Sequence, residues 1–325
     1  MSASAGRIDV HHHILPAAYL SALDELGVLA GGGIPFPRWD PASTLEMLDR
    51  QGIAAAVTSI SAPGIHFGDD AFARDLARRC NELSAKLVAD PPGRFGAFAI
   101  LPLPDVKGAL RELEYALDGL KLDGVVLLTS HSDGRYLGDP LFDDVMAELD
   151  RRAAVAFVHP IVPKTSESIR LDVPGFAAEF VFDTTRAAIN LIWSGTAERR
   201  PNVRFILSHA GGTTPYLAGR IGLLAALPQM RERAPKGAAH YLAQFHYDTA
   251  LSANPNALRS LQELVGPEKI LFGSDFPFAP EPIARASIEG LARYGGFDPA
   301  ARAQIERANA LALLPTLAAR IGATR

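Results

Sequence analysis

Short apolar and β-branched runs recur along the whole chain, and segments with helical periodicity separate them. The runs predict eight strands, at residues 7–12, 54–61, 95–102, 124–130, 155–160, 203–209, 244–250 and 269–275. Intervening segments such as 41–52, 69–90 and 140–153 place apolar residues three or four positions apart, as amphipathic helices do. Strands that alternate with helices indicate parallel βαβ units. Eight such units predict an α/β protein with a closed (β/α)8 TIM-like barrel, and an open doubly wound sheet is the alternative.

Composition and charge argue against several classes of protein. The 325 residues are 48% hydrophobic and 21% charged, which is typical of a globular chain, and we expect one domain over residues 1–325. The net charge of −4 argues against a nucleic acid or an anionic membrane as partner. Cys80 is the only cysteine, and the stretch MSASAGR lacks an apolar signal core. Both features predict a reducing, cytoplasmic location.

Three consecutive histidines, His11, His12 and His13, end the first predicted strand. Side chains alternate between the two faces of a strand, so His11 and His13 point the same way and His12 points away. Two imidazoles on one face can reach a single ion. A chance pair of partly exposed histidines is the plainer interpretation, and His12 is assigned a structural role.

The barrel prediction supplies a test of this metal hypothesis. Active sites of such barrels lie at the carboxyl ends of the strands. Residues suited to metal binding or proton transfer do end four of the predicted strands, namely His11 and His13, His159, His209 and Asp275. Imidazole and carboxylate ligands on a divalent ion with an open position describe a catalytic site.

We therefore expect nitrogen ligands from His11, His13 and His159. Asp275 supplies an oxygen ligand or shuttles a proton, and His209 stands beside the ion as general acid or base. Zinc suits a histidine-rich set of ligands best, with manganese or iron as alternatives.

Each of these residues also has a plainer interpretation. His159 precedes Pro160 and could simply end a strand, and His209 could be a hydrogen-bonded core histidine. Asp275 could be the N-cap of a following helix, a position that Asp favours. Asp248 ends the seventh predicted strand, where it either orients a ligand histidine or forms a turn.

Four segments resemble, in the right order, the signature motifs of the amidohydrolase-related decarboxylases. They are IDVHHHILP (8–16), FVHP (157–160), SHAGGTTPYLAGRI (208–221) and ILFGSDFPF (270–278). The resemblance covers about residues 7 to 315 and is to the branch that includes aminocarboxymuconate-semialdehyde and 6-methylsalicylate decarboxylases. It implies a distorted barrel with a small insertion after the first strand, at about 17–40, and C-terminal helices at about 299–323.

The same motifs imply roles for individual residues. His11, His13, His159 and Asp275 match the ligands of one divalent metal ion per subunit, and His209 matches the catalytic histidine. The resemblance implies a carbon–carbon lyase that releases CO2 from a small aromatic, salicylate-like acid without oxidation.

The substrate prediction rests partly on a departure from the family pattern. In the semialdehyde enzyme an arginine a few residues before the WDP motif grips a substrate carboxylate, and the corresponding position here, in the GGGIPFP stretch near Pro35, has no arginine. A more apolar aromatic monoacid is therefore expected. A metal-dependent hydrolase of a lactone, amide or related carbonyl compound would use the same ligands and is the first alternative. A catalytically silent barrel that only binds is the second.

Four residues are candidates for contact with the substrate. Arg220 matches a family arginine that reaches into the active site of the neighbouring subunit, which implies a homodimer, although Arg220 could equally form a surface ion pair. His131 follows the fourth predicted strand and could face the cavity or lie in a solvated loop. Trp39 and Phe278 could stack on an aromatic ring or serve as ordinary core aromatics.

Overall fold

Eight parallel strands form one sheet in the computed structural model, which describes residues 6–323. In chain order the strands are β1 (Arg7–His13), β2 (Ala30–Gly31), β3 (Ile34–Pro35), β4 (Ile53–Ser59), β5 (Phe95–Ile100), β6 (Gly124–Leu128), β7 (Val155–His159), β8 (Arg204–Leu207), β9 (His246–Asp248) and β10 (Ile270–Leu271). Strands β2 and β3 pair with each other in a small antiparallel hairpin. The other eight follow one another around the large sheet in sequence order.

Backbone hydrogen bonds join the end of this sheet to its beginning. The N–H of Val10 donates to the carbonyl of Phe272 (3.0 Å), and the N–H of His13 donates to the carbonyl of Phe276 (2.7 Å). Between them, the N–H of Asp275 donates to the carbonyl of His11 (2.8 Å). The sheet is therefore a closed barrel, which confirms the (β/α)8 prediction over the open doubly wound alternative.

Helices surround the barrel and connect its strands. They are α1 (Ala17–Glu25), α2 (Pro41–Gln51), α3 (Asp70–Ala89), α4 (Val106–Glu114), α5 (Asp143–Arg151), α6 (Glu179–Trp193), α7 (Thr196–Arg199), α8 (Thr214–Gly222), α9 (Pro228–Arg233), α10 (Ala238–Gln244), α11 (Pro255–Gln262), α12 (Glu281–Arg293), α13 (Pro299–Ala303), α14 (Asn309–Leu313) and α15 (Pro315–Ala323). Among the described residues, no helix is both long and apolar enough to cross a membrane.

Local sequence signals set the ends of the helix predicted at 41–52. Asp40 caps α2 by accepting a hydrogen bond from the N–H of Ser43 (2.9 Å), and Pro41 occupies the first turn, where no N–H is needed. Gly52 follows the helix in the left-handed conformation (φ 65°), the usual role of glycine at this position.

The segments outside the repeating units lie at two places. Residues 17–40 hold α1 and the β2–β3 hairpin, and the turn of the hairpin contacts the segment before α6 through a hydrogen bond from the N–H of Phe176 to the carbonyl of Gly32 (2.9 Å). The C-terminal helices close on β1, where Arg7 pairs with Glu306 (3.0 Å). Residues 1–5, which hold most of the MSASAGR stretch, and 324–325 lie outside the described residues, and the single-domain organisation stays a prediction.

Several strands are shorter than predicted at their carboxyl ends. The strand expected at 203–209 is Arg204–Leu207, and the one expected at 269–275 is Ile270–Leu271. His209 and Asp275 therefore lie in the loops that follow these strands. Both have positive φ angles (54° and 63°), which a regular strand cannot contain.

Candidate metal centre and active site

The alternation of β1 brings two histidines together. The Nε2 atoms of His11 and His13 lie 3.0 Å apart, and both side chains are fully buried. His12 points to the other side of the strand, where its Nδ1 donates to Asp9 Oδ2 (3.0 Å). The strand geometry thus separates the pair from the histidine between them, as the sequence predicted.

His159 and Asp275 complete a compact group with this pair. One possible ligand atom from each of His11, His13, His159 and Asp275 lies within 4.8 Å of the others, and all four residues are buried. Asp275 Oδ1 is 3.3 Å from His11 Nε2 and 3.1 Å from His13 Nε2. Ligand atoms each about 2.1 Å from one ion are separated by about 3 Å, so this donor set fits a divalent metal ion.

Further contacts orient each imidazole. His11 Nδ1 donates to Asp248 Oδ2 (2.7 Å), and His159 Nδ1 donates to the carbonyl of Pro160 (2.9 Å). His13 Nδ1 lies 3.0 Å from Ser59 Oγ. Because Nδ1 is engaged in all three rings, Nε2 is the atom left for a metal, the arrangement typical of ligand histidines. Asp248 contacts a ligand histidine here, which is the first of the two interpretations considered for it.

The charges of the cluster follow from burial and from its carboxylates. Burial lowers the pKa of His13 to about 4 and places the pKa of His159 well below its usual range. Burial also opposes a charge on His11, but the carboxylates of Asp248 and Asp275 outweigh it and raise the pKa of His11 to about 10. Burial would raise the pKa of Asp275, yet His11 and the hydrogen bonds from the imidazoles hold it well below its usual range. The cluster thus offers a carboxylate and, at His13 and His159, neutral imidazoles, while His11 would give up its proton when a cation binds.

His209 lies beside the four residues on the short turn after β8. Its N–H donates to Asp248 Oδ1 (3.0 Å), and its Nε2 lies 3.3 Å from Asp275 Oδ2. His209 Nδ1 is buried and has no hydrogen-bond partner among the described residues. Positive φ angles at His209 and Ala210 hold the ring in this place, a strained backbone of the kind found at functional sites.

A second network fixes the loop that carries Asp275. Asp9 Oδ1 accepts hydrogen bonds from the N–H groups of His11 (3.1 Å) and Ser274 (3.0 Å). Asp9 therefore ties β1 to the residue before Asp275.

The plainer interpretation of Asp275 as a helix N-cap is wrong, because α12 begins only at Glu281 and the carboxylate faces the histidines.

An apolar cavity of about 420 Å³ opens above the cluster, and His159, His209 and Asp275 form its polar floor. Its remaining walls come from Gly31, Ile34, Ser61, Ala62, Phe176, Ala177, Phe180, Val181, Leu251, Ser252, Phe278, Ala279, Pro280 and Ile283. None of the described residues that line it is a lysine or an arginine. A carboxylate entering this cavity has no side-chain cation from the same chain to pair with.

Comparison with known proteins agrees with this site. A family model described as amidohydrolase matches residues 8–316. The chain belongs to the amidohydrolase family. This match confirms the family resemblance that the four motifs indicated.

Individual relatives of this amidohydrolase are decarboxylases. The chain is 37% identical over 319 residues to 6-methylsalicylic acid decarboxylase of Penicillium expansum, a match that covers 96% of this chain and 97% of that protein. A crystal structure titled amidohydrolase II superposes with a TM-score of 0.88 at 30% identity and covers 95% of this chain and 99% of the other. The structure of a 2,6-dihydroxybenzoate decarboxylase complexed with 2,6-dihydroxybenzoate gives a TM-score of 0.79 at 26% identity, with the same coverage of both chains.

The four predicted substrate contacts of this amidohydrolase lie in different places. Phe278 lines the cavity, with its ring 5.7 Å from that of His13. Trp39 is partly buried and packs against the hydrophobic core outside the cavity lining. His131 is buried in a separate cavity, and Arg220 is exposed on α8. Within a single chain, Phe278 is therefore the one of these four residues that lies beside the metal cluster.

Sequence reasoning missed the aromatic wall that α6 contributes. The ring of Phe180 lies 5.8 Å from that of His159 and 6.4 Å from that of His209, and Phe176 lies 6.5 Å from Phe180. The two phenylalanines are four residues apart, which puts them on one side of a helical segment. The same spacing is typical of core packing, so it carried no sign of a substrate cavity.

Proposed function

We propose that this amidohydrolase is a metal-dependent, non-oxidative decarboxylase of a small aromatic acid that resembles salicylate, and hence a carbon–carbon lyase. The observation that carries the proposal is a buried His–His–His–Asp cluster beneath an apolar cavity walled by phenylalanines. The relationship to a 6-methylsalicylic acid decarboxylase, over nearly the full length of both chains, supports the same reaction.

Zinc is the ion we propose for the cluster, because three imidazole nitrogens and one carboxylate suit it best, and manganese is the alternative. His11, His13, His159 and Asp275 would hold the ion. When bound, it would supply the positive charge that binds and orients the carboxylate and the ortho hydroxyl of the acid.

The neighbouring side chains can move the proton that the reaction needs. Decarboxylation places a proton on the ring carbon that carries the carboxyl group, breaks the bond to that group and returns its electron pair to the ring as CO2 leaves. Asp275 and His209 lie 3.3 Å apart at the cavity floor. His209 can deliver the proton directly or through water, and the Asp275 carboxylate can take up a proton from a neighbouring water and pass it on. The apolar walls hold the ring, and orientation of this kind is a large part of catalysis.

The absence of a cation from the described lining favours a monoacid over a dicarboxylic acid. A second carboxylate buried among Phe176, Phe180 and Phe278 would be unpaired, which is costly in an apolar environment. One carboxylate, by contrast, would be neutralised by an ion held in the cluster. This agrees with the missing arginine near Pro35.

A homodimer is part of the proposal, with Arg220 contributing to the site of the second copy. Tyr216 (83% exposed), Arg220, Leu223 (71%) and Leu227 (43%) are spaced three or four residues apart along α8 and the turn after it. They form one exposed face that is largely apolar and carries one arginine. A second copy docked there would cover the apolar residues.

A reducing, cytoplasmic location stays a prediction from the single cysteine.

The reaction is tested with protein loaded with zinc or, separately, manganese. We expect 2-hydroxybenzoate or 2-hydroxy-6-methylbenzoate to yield CO2 and the corresponding phenol, followed by NMR and CO2 detection. Removal of the ion with a chelator should abolish turnover, and adding it back should restore it. Hydrolysis of lactones or amides without CO2 release from any hydroxybenzoate would favour the hydrolase alternative and contradict the decarboxylase.

Two variants separate proton transfer from metal binding. His209→Gln should lower kcat by about 10²- to 10⁴-fold, the usual effect of losing a general acid or base, without changing the metal content. Asp275 is also a proposed metal ligand, so Asp275→Asn is compared at equal metal content; it should then abolish turnover while the acid still binds, as measured by titration calorimetry. Full activity of Asp275→Asn would rule out its role in proton transfer.

A further inference from the structure

A second cavity lies at the same end of the barrel and holds the histidine that the active site left out. It has a volume of about 290 Å³ and lies over the ends of β5 and β6. Its walls are mostly apolar, with Ile100, Leu101, Leu103, Val126 and Leu127 among them. An apolar cavity of about 150 Å³ is large enough for benzene in another protein, so a single aromatic ring fits here.

Two chain segments divide this cavity from the active site. In the first, Ser61 and Ala62 face the active-site cavity, while Pro63 and Ile65 face the second cavity. In the second, His159 lines the active site, and the following residues 161–162 line the other cavity. The two cavities are therefore separate chambers that share walls.

His131 supplies an unused hydrogen-bonding atom in this second chamber. The residue is 8% exposed, and neither nitrogen of its ring has a hydrogen-bond partner among the described residues; Nε2 is itself fully buried in the chamber wall. The ring packs edge-to-face on Phe142, with 4.8 Å between centroids. A buried polar atom without a partner in a native structure calls for an explanation, and a bound ligand is one.

The other polar side chains of the chamber already have partners. Ser132 Oγ lies 3.0 Å from His66 Nδ1, and His66 Nε2 lies 2.9 Å from Asp70 Oδ1. Ser130 Oγ donates to Asp183 (3.4 Å). The imidazole of His131 is thus the group with which the chamber would recognise a ligand.

The chamber is reached from the surface through a shallow depression of about 330 Å³. The depression shares His66, Phe67, Ser132 and Lys164 with the chamber. Lys164 lines both the depression and the chamber, and because the residue is exposed its ammonium group can stay hydrated at the rim. Burial lowers the pKa of His131 to about 4, which leaves its imidazole neutral. The interior therefore suits an uncharged ligand.

We propose that this second chamber binds a small, uncharged phenol, with the ring against the β5 and β6 side chains and the hydroxyl on the His131 imidazole. A hydroxyl group both donates and accepts, so it satisfies either tautomer of the imidazole. A benzoate would bring a charge into an interior whose one cation among the described lining residues, Lys164, is exposed at the rim. The inference is independent of the proposed decarboxylation, although a phenol is also the class of product that this reaction would release.

Binding is tested with 4-bromophenol and the zinc-loaded protein. In crystals soaked with the probe, we expect a bromine anomalous peak in the chamber and the phenol oxygen within hydrogen-bond distance of a ring nitrogen of His131. In solution, titration calorimetry should show that His131→Leu weakens this binding roughly 3- to 10-fold, the value of one hydrogen bond, and that His131→Gln weakens it less.

The proposal is overturned if bromine is found only in the active-site cavity, or if His131→Leu binds the probe as tightly as the unaltered protein. Binding of 4-bromobenzoate but not 4-bromophenol beside His131 would also overturn it. If His131→Leu does not fold, the anomalous map of the unaltered protein still decides the question. None of these measurements depends on turnover, so failure here is distinct from failure of the proposed reaction.

Discussion

At the scale of single residues, Asp248 connects the metal cluster to His209, the proposed catalytic histidine. One carboxylate oxygen accepts the hydrogen bond from His11 Nδ1 (2.7 Å), and the other accepts the backbone N–H of His209 (3.0 Å). The side chain is fully buried. A single carboxylate thus sets the orientation of a ligand and the position of the loop that carries His209.

Replacing this carboxylate should weaken metal binding. Asp248→Asn removes the charge that orients His11, and changes of this kind typically cost 10- to 100-fold in metal affinity. Competition with a chelator measures the affinity. Glu112→Gln is the matched control, since Glu112 is also buried and hydrogen-bonded but lies on α4, where it pairs with Arg78. Equal affinity of Asp248→Asn and the control would contradict the role of Asp248.

His131 should make the fold sensitive to acid. Burial lowers its pKa to about 4, against about 6.5 in the unfolded chain, with Asp133 raising it and His66 lowering it further as the nearby charged groups. Below pH 6.5 the unfolded chain binds a proton that the folded protein does not, so stability falls as the pH drops from 6.5 to 4. Between pH 7 and pH 5 the loss from this one group is roughly 2 kcal/mol.

Urea unfolding at pH 7 and pH 5 measures this loss. His131→Gln cannot take up the proton, so its free energy of unfolding should change less between the two pH values than that of the unaltered protein. An identical change in both proteins would show that His131 titrates normally in the folded state.

At the scale of elements, the turn between β8 and α8 places His209 by pressing against α6. Gly212 has φ 66° and ψ −127°, a conformation open essentially to glycine alone. A Cβ atom there would lie 2.1 Å from the carbonyl oxygen of Val181. The turn therefore fits against the helix only because this position has no side chain.

Gly212→Ala should cost stability and activity together. The strain and the clash with α6 are expected to destabilise the fold by at least 1–3 kcal/mol and to shift His209, so that kcat falls as well. Gly322→Ala on α15 is the control, because a Cβ there meets no atom within 4 Å. That change should be neutral or slightly stabilising. Thermal unfolding and steady-state kinetics of both variants make the comparison, and normal kcat in Gly212→Ala would contradict the account.

At the scale of the whole molecule, the closed parallel sheet collects side chains that are far apart in the sequence. His11 and Asp275 are separated by most of the chain, yet His11 Nε2 and Asp275 Oδ1 lie 3.3 Å apart. Closure joins β1 to the segment after β10 and makes the contact possible. In the proposed homodimer, the exposed face on α8 would likewise bring residues of a second copy of the chain to the site.

Disrupting that face should dissociate the proposed dimer. Leu223→Glu places a charge among apolar residues that would be buried between two copies, so we expect monomers in analytical ultracentrifugation. Arg220→Ala should keep the dimer and raise KM for the acid, because it removes only the cation offered to the partner site. A monomeric unaltered protein with full activity would contradict the proposal.

The sequence by itself determined the elements and most of the metal cluster. The alternation of β1 put His11 and His13 on one face, and the repeat of strands and helices predicted the barrel. These inferences worked because strand periodicity is local and because parallel strands of a barrel point their carboxyl ends the same way. The likeness of four motifs to known decarboxylases added the roles of the side chains.

Only the tertiary structure decided what surrounds the cluster. Phe176 and Phe180 have the spacing of ordinary core residues, and the approach of α6 to the barrel mouth turns them into cavity walls. The same packing placed His131 in a separate chamber and left Trp39 against the core. Walls of this kind depend on how loops and helices pack across long sequence separations, and no local periodicity encodes that packing.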